Sequence, residues 1–402
     1  MRHLLNKNVL NIEMSGIRKI ANKVDRSPDV INLTFGQPNF HTPKYIKEAG
    51  IQAIKDNHTD YTETAGLLEL REAACNYMKR HYQLNYDPHK EAIVTVGASE
   101  ALDITFRTIL SEGSEVIIPT PVYVGYEPLV QMCNGVSVYV NTTENEFKLT
   151  ADLIEKHITD KTRAIVLPYP NNPMGSLLTK FEVMEIADLL ADKEIFIVAD
   201  EIYSELNFEE KHFSIGAIDK VRDQTIVING VSKSHAMTGW RIGFAFAPNY
   251  LIEEFYKIKS FITVCATSIS QYAAVTALEN EQESDDKVQE MKDDYKKRRD
   301  YVYDRLVKMG LDVARPQGAF YIFPSIKKTG LSSMEFVDRL LEEENVAVIP
   351  GSAFSKDGEG YIRISYAQSY KQLEKGLDGI EHFLSKIQTE NERSGVDAIN
   401  RG

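Results

Sequence analysis

Gly230-Val231-Ser232-Lys233-Ser234-His235-Ala236-Met237-Thr238-Gly239-Trp240-Arg241-Ile242-Gly243 lies between two apolar runs, 225–229 and 242–247. Short apolar runs of that kind read as buried strands, so the block is a strand-to-strand connection. About a dozen residues separate the two runs, too few for a typical helical crossover, and the second strand is expected to run antiparallel. Lys233 is then held at a strand end, close to packed apolar walls. Burial disfavours its ammonium and makes the amine a better nucleophile. Ser232 stands beside it, and Arg241 follows eight residues on. An amine, a hydroxyl and a guanidinium in this arrangement suit a lysine that forms an imine with an aldehyde cofactor carrying a phosphate.

Upstream, further strand candidates fall at 92–96, 115–119, 136–140, 163–167 and 195–199. Several are apolar on both faces, as buried parallel strands are. Helical patterns at 100–110, 123–132, 151–157 and 180–190 fill most of the gaps. Alternation of this kind predicts an α/β domain, a large and mostly parallel sheet with helices on both faces. After Pro248 the pattern changes. Helices are expected at 251–263, 268–280 and 285–309, then short strands at 318–323, 346–349 and 361–365 with helices at 333–343 and 371–386. This reads as a smaller α+β domain. The expected organisation is a large domain over 36–285, a small one over 286–388 joined by the N-terminal segment 1–35, and a polar, frayed tail at 389–402.

Composition narrows the function classes. The chain has 402 residues, 43% hydrophobic and 26% charged, which is the balance of a soluble globular protein. That length holds one core of about 250 residues and a second, smaller one. A net charge of -13 argues against nucleic acid or an anionic membrane as the main partner. No apolar stretch approaches the roughly 20 residues of a membrane span, and the first residues lack a signal-peptide core. Cys75, Cys133 and Cys265 are far apart with no CxxC spacing, so neither a disulfide framework nor a metal site is expected. Cytoplasmic location follows as the default.

Other segments at strand ends carry groups of the chemistry that Lys233 suggests. Val96-Gly97-Ala98-Ser99-Glu100 passes from a strand into a helix. Free N–H groups at a helix start, with its dipole, bind an anion, and Ser99 adds a hydroxyl. Pro119-Thr120-Pro121-Val122-Tyr123-Val124-Gly125-Tyr126 presents aromatics, and Tyr123 suits stacking on a flat ring. In Pro170-Asn171-Asn172-Pro173-Met174-Gly175 an asparagine amide is pinned between prolines and suits a phenolate-type oxygen. Asp200 ends the strand at 195–199, where a carboxylate pairs well with a ring N–H⁺, and Tyr203 returns to the same side one helical turn on. Arg363, in Tyr361-Ile362-Arg363-Ile364-Ser365, is a candidate bidentate clamp for a carboxylate. Each of these has a plain structural alternative: a helix cap, a core tyrosine, a polar turn, a solvent-facing arginine.

Taken together, the chain resembles the class I/II aminotransferase family, fold-type I enzymes that use pyridoxal 5'-phosphate. The resemblance runs nearly end to end, from Leu33-Thr34-Phe35-Gly36-Gln37-Pro38-Asn39-Phe40 to the Arg363 segment, and the Ser-Lys-x5-Gly-x-Arg-x-Gly block is its most specific part. Leu167-Pro168-Tyr169-Pro170 and Asp200-Glu201-Ile202-Tyr203-Ser204-Glu205-Leu206 are similar to the aminotransferase A group of bacilli, associated with N-acetyl-L,L-2,6-diaminopimelate transamination in lysine and cell-wall precursor synthesis. The resemblance implies that Lys233 holds the cofactor as an imine and shuttles the α-proton. It implies that Ala98, Ser99, Ser232 and Arg241 grip the phosphate, that Tyr123 stacks on the ring, and that Asp200 pairs with the ring nitrogen. Asn172 and Tyr203 would bond the phenolic oxygen, and Arg363, Asn172 and the Gly36 backbone would bind the substrate carboxylate. Tyr61 would reach the phosphate of a neighbouring subunit, which implies a homodimer with shared sites.

The chain departs from the family pattern twice. Gly230 stands where many relatives carry a hydroxyl residue, and Met174 replaces a common threonine. Residues around Ile17 and Arg18 are candidates for the substrate side-chain pocket. Aspartate or aromatic amino acid transamination, and a carbon–sulfur β-lyase on the same cofactor residues, are the alternative activities. A cofactor-binding regulatory domain is disfavoured, because only about 35 residues precede the Gly36 motif and the chain is acidic.

Overall fold

The computed structural model describes residues 1–13, 16, 17, 20, 24 and 29–400, with 394–400 described by backbone alone. Two compact units divide the chain. The first comprises Met1–Glu13, Phe40–Asp293 and Gln317–Ala319, the second Met14–Asn39, Asp294–Pro316 and Phe320–Gly402. The changeover near residue 293 falls inside one continuous helix, Glu281–Lys308, so no composition shift marks it. Residues 1–13 group with the first unit, where the sequence reading has them in the small domain. The Asn8 side chain donates there to Asn134 Oδ1 at 2.7 Å.

Seven strands form the sheet of the first unit. They are β1 (Ala92–Thr95), β2 (Glu115–Thr120), β3 (Val136–Asn141), β4 (Thr162–Leu167), β5 (Phe196–Asp200), β6 (Thr225–Gly230) and β7 (Gly243–Phe246). Their spatial order is β1-β7-β6-β5-β4-β2-β3. Pairing is parallel from β6 across to β3, and β7 is antiparallel to both of its neighbours. The connection from β6 to β7 has room for a one-turn helix, α3 (Val231–Ser234), and a 3-10 turn at Thr238–Trp240. It cannot cross the sheet, so β7 must return alongside β6.

The central strands are apolar at successive positions because both faces are covered. Ile165, Ile197 and Val227 belong to one buried layer, and Val166, Val198 and Ile226 to the other. Burying each of these side chains contributes roughly 1.5–3 kcal/mol. Helices α1 (Gly97–Ile109), α2 (Tyr126–Met132) and α4 (Asn249–Ile262) pack against the sheet or each other. The helix expected at 123–132 starts three residues late. The Tyr123 ring folds back over Gly125, where a Cβ would lie 2.3 Å from it, so the intervening chain is a turn.

The second unit holds a three-stranded antiparallel sheet in the order Ile349–Pro350, Ile362–Ser365, Tyr321–Ile322. The strand expected at 346–349 is divided. Val346–Ala347 pairs instead with Ile31–Asn32, in parallel. The final helix runs Tyr370–Asn400, past the start of the expected frayed tail. Polar pairs along and beside it, Gln388 to Glu392 and Arg339 to Glu390, tie that segment down. Residues 401 and 402 lie outside the described residues. Among the described residues no helix is long and apolar enough to cross a membrane.

Candidate active site

The carboxyl ends of the parallel strands are where ligands bind in open α/β sheets. Five segments deliver side chains there: β1 into α1, β2 into α2, the turn after β4, the end of β5, and β6 into α3.

The start of α1 is built around close backbone packing. A Cβ on Gly97, whose φ is +71°, would lie 2.4 Å from Arg241 Nη2. A Cβ on Gly243 would lie 2.5 Å from the Gly97 carbonyl carbon and 2.6 Å from the Ala98 nitrogen. Glycine at both positions therefore lets β7 pass under the helix start and lets the arginine fold over it. Arg241 has a left-handed φ of 57° and donates from Nη1 to the Thr238 carbonyl at 3.2 Å. Arg241 and Ser99 are exposed, so the first-turn N–H groups, a hydroxyl and a guanidinium form an accessible donor set for a dianion. Gly230 also has a packing reason. A side chain there would meet the Ile242 carbonyl oxygen at 2.9 Å and Gly243 Cα at 3.0 Å.

Asp200 ends β5 and is only 6% exposed. Its Oδ2 accepts from the Tyr126 hydroxyl at 2.7 Å, and the Ile202 N–H lies 3.4 Å from Oδ1. Burial pushes its carboxyl above the usual range, and the Tyr126 bond, the Ile202 amide and the Lys233 charge pull it back only in part. The chain thus leaves this carboxylate short of counter-charge, which a cationic N–H on a ligand would supply. Burial, then the Asp200 charge, raises the pKa of both Tyr123 and Tyr126, so both stay phenols. Tyr126 is a site residue that sequence reading quoted but did not assign. Its signal is a position three residues after Tyr123 at the first turn of a helix. Tyr123 is partly exposed and meets Tyr126 edge-on, with ring centroids 5.5 Å apart.

Lys233 sits in α3 with Nζ 5.8 Å from the centroid of the Tyr203 ring, itself buried. Ser232 is buried beside it, and Asn172 is partly buried in the turn after β4. These residues, with Asp200, Tyr123, Tyr126, Ala98, Ser99 and Arg241, all belong to the first unit.

His235 fixes the lysine turn. Its Nδ1 lies 2.8 Å from Ser234 Oγ and its Nε2 2.8 Å from Ser284 Oγ, joining α3 to the helix Glu281–Lys308. Burial pushes its pKa down to about 4, and the Glu205 and Asp285 carboxylates offset this only partly. The folded pKa lies below the unfolded value of about 6.5, so the unfolded chain takes up the proton first on acidification. The stability that neutral His235 preserves is present above about pH 6.5 and is lost as pH falls towards 4, by up to about 3 kcal/mol. Urea unfolding at pH 7.5 and 4.5 checks this. His235→Phe should lose less stability than the native chain over that step, and equal losses would exclude His235 as the source.

Gly36 and Arg363 belong to the second unit. Arg363 is 2% exposed, which rules out the solvent-facing alternative. Its guanidinium carbon lies 4.4 Å from the Tyr321 ring centroid and 5.2 Å from that of Phe354, and Nη2 donates to the Thr34 carbonyl at 2.7 Å. Gly36 is near the same tyrosine: a Cβ there would lie 3.5 Å from Tyr321 Oη. Tyr61, by contrast, is 83% exposed on the first unit. Ile17 is partly buried, and Arg18 lies outside the described residues.

A family model for aminotransferase class I and II matches residues 28–380. A probable N-acetyl-LL-diaminopimelate aminotransferase of Bacillus subtilis is 52% identical over 402 residues, covering 100% of both chains. An aspartate aminotransferase of Pyrococcus abyssi is 44% identical, over 93% of this chain and 96% of its own. The crystal structure of an aromatic aminotransferase from Pyrococcus horikoshii OT3 matches with a TM-score of 0.88 at 42% identity, over 92% of this chain and 99% of that one.

Proposed function

The chain belongs to the class I and II aminotransferase family, and from that premise we propose that it moves an amino group between N-acetyl-L,L-2,6-diaminopimelate and 2-oxoglutarate, in the synthesis of diaminopimelate and lysine. Full-length identity of 52% to the Bacillus subtilis relative supports this substrate. The same reading has the chain working in the cytoplasm as a homodimer, with exposed Tyr61 serving the site of a second copy.

Pyridoxal 5'-phosphate fits the residues present. The observation that carries the fit is Asp200 itself, a carboxylate 6% exposed at the end of β5, with the Tyr126 hydroxyl on Oδ2 at 2.7 Å and the Ile202 amide 3.4 Å from Oδ1, a setting that suits a pyridinium N–H⁺. When bound, the cofactor supplies an electron-accepting ring for the electrons left as the substrate Cα loses its proton. The chain's residues do the rest. Lys233 would anchor the cofactor through its amine and, when that amine is free, would take the Cα proton on Nζ. Asp200 would hold the ring N–H, and Tyr126 holds Asp200. Asn172 and Tyr203 would donate to the phenolic oxygen, and Tyr123 would cover the ring. The α1 start at Ala98 and Ser99, with Ser232 and Arg241, would hold the phosphate. Arg363 and the Gly36 backbone, of the second unit, would take the substrate carboxylate.

Aspartate or an aromatic amino acid is the second reading, favoured by the 44% and 42% identities to enzymes of those names. Absorbance of the cofactor-loaded protein, with one amino donor and no acceptor, decides among them. N-acetyl-L,L-diaminopimelate and glutamate should convert the yellow cofactor to its aminated form fastest. A faster response to aspartate or an aromatic donor would favour the second reading. An unchanged cofactor with pyruvate released from cystathionine would mean a β-lyase and overturn both.

A further inference from the structure

Glu100 and Lys259 form a buried ion pair at the base of α1, outside the residues assigned above. Glu100 stands in the first turn of α1 and is 8% exposed, and Lys259, from α4, is 0% exposed. Lys259 Nζ lies 3.1 Å from Glu100 Oε2 and 3.4 Å from Oε1. Thr263, which caps the end of α4, donates its hydroxyl to Glu100 Oε1. Glu100 Oε2 also accepts the backbone N–H of Val96, the residue that leads into α1. The carbonyl of that same Val96 lies 3.5 Å from Arg241 Nη2. The carboxylate therefore braces the backbone segment on which the exposed donors are mounted.

Charge explains why a lysine accompanies it. An acid in the first turn of a helix is favoured by the dipole. The same acid works against a second anion at that helix start, because a buried like charge is poorly screened. An apolar pair would fill the space as well as an ion pair does, but it would give Val96 no acceptor.

We propose that Glu100 and Lys259 are positioning residues for the cofactor phosphate. Glu100 fixes the turn into α1, and Lys259 cancels its charge so that the free amides of the helix start face the phosphate without a buried anion behind them. This rests on the pyridoxal phosphate reading and adds to it a pair that touches no cofactor atom.

The test is affinity in the cofactor-free protein, with pyridoxal 5'-phosphate, pyridoxal and inorganic phosphate as probes. Lys259→Met should weaken pyridoxal 5'-phosphate by about 10- to 100-fold, the scale of one uncompensated charge near the site. It should leave pyridoxal unchanged and remove competition by inorganic phosphate. The double variant E100Q/K259M, with neither charge, should recover to within about threefold of the native chain. Equal weakening of pyridoxal, or a double variant as weak as Lys259→Met, overturns the proposal. If Lys259→Met does not fold, Glu100→Gln decides, since it keeps the cation and an acceptor for Val96. It should bind pyridoxal 5'-phosphate at least as tightly as the native chain, and a loss of about tenfold or more overturns the proposal. A native chain that binds no pyridoxal 5'-phosphate would instead remove the cofactor reading itself.

Discussion

Lys233→Ala lowers turnover by at least about 10²–10⁴-fold, the scale of general acid–base catalysis. Two functions go with one amine. On the proposed function the chain loses the nucleophile that would anchor the cofactor, and it loses the base that would take the Cα proton. Asp200 loses a nearby positive charge and the Tyr203 ring a cation, but the anchors of the constellation stay. Asp200 keeps its bond from Tyr126, and α3 keeps its tie through His235 and Ser284. Lys233 is only partly buried, so alanine should cost little stability, on the order of 0.5 kcal/mol. The variant should therefore fold and bind pyridoxal 5'-phosphate, yet borohydride should fix no cofactor mass to it. Steady-state turnover with the preferred donor, together with mass analysis after reduction, checks both halves. Near-normal turnover would sink the assignment of Lys233.

Much of this candidate site is legible in the sequence as a set of strand ends, because its residues are tied to them. Glycine, proline and apolar runs mark those ends in any sequence. All seven strands of the large sheet were placed to within a few residues, and the short 230–242 connection was enough to expect an antiparallel β7. What was missed depends on partners outside the element itself. The helix Leu68–Tyr82 buries Arg71 as well as apolar residues, because Arg71 bonds to Glu63 and to the Gly66 and Pro88 carbonyls. A helix with a satisfied charge on its inner face shows no clean apolar stripe. The helix Lys44–Lys55 was missed for a related reason. Gly50 sits on its inner face as a contact point for the Trp240 ring, so a weak helix former marks the packed side.

The same holds for the electrostatics. Tyr126 and Asp200 are 74 positions apart, and Glu100 and Lys259 are 159 apart. Nothing local distinguishes Glu100 from an ordinary first-turn acid, or Lys259 from a surface lysine. The sequence could name Asp200 as an acid at a strand end, but not the phenol that holds it. It could not foresee the split of 346–349 between two sheets either. Each half of that stretch is chosen by a strand from elsewhere in the chain, Ile31–Asn32 or Ile362–Ser365.

Arg363→Ala should cost roughly 2–5 kcal/mol in kcat/KM, as when one member of a buried charge pair is truncated. The guanidinium lies against Tyr321 and Phe354 with little water around it, where its charge is poorly screened and a carboxylate is held strongly. The two rings and the bond to the Thr34 carbonyl also restrict the planar fork, so less side-chain entropy would be lost when a carboxylate docks. The loss should be nearly the same for every amino acid donor, because the α-carboxylate is common to all of them. A residue that reads the substrate side chain would instead change the ranking of donors. Arg363→Lys keeps the charge but not the bidentate fork, and it should fall between the native chain and the alanine variant. Removing so large a buried side chain also leaves a cavity. The alanine variant should therefore unfold earlier, and kcat/KM must be measured well below its melting range. Steady-state kinetics with three unlike donors separates these outcomes. An unchanged kcat/KM for all of them removes Arg363 from the substrate site and leaves it as packing for the second unit alone.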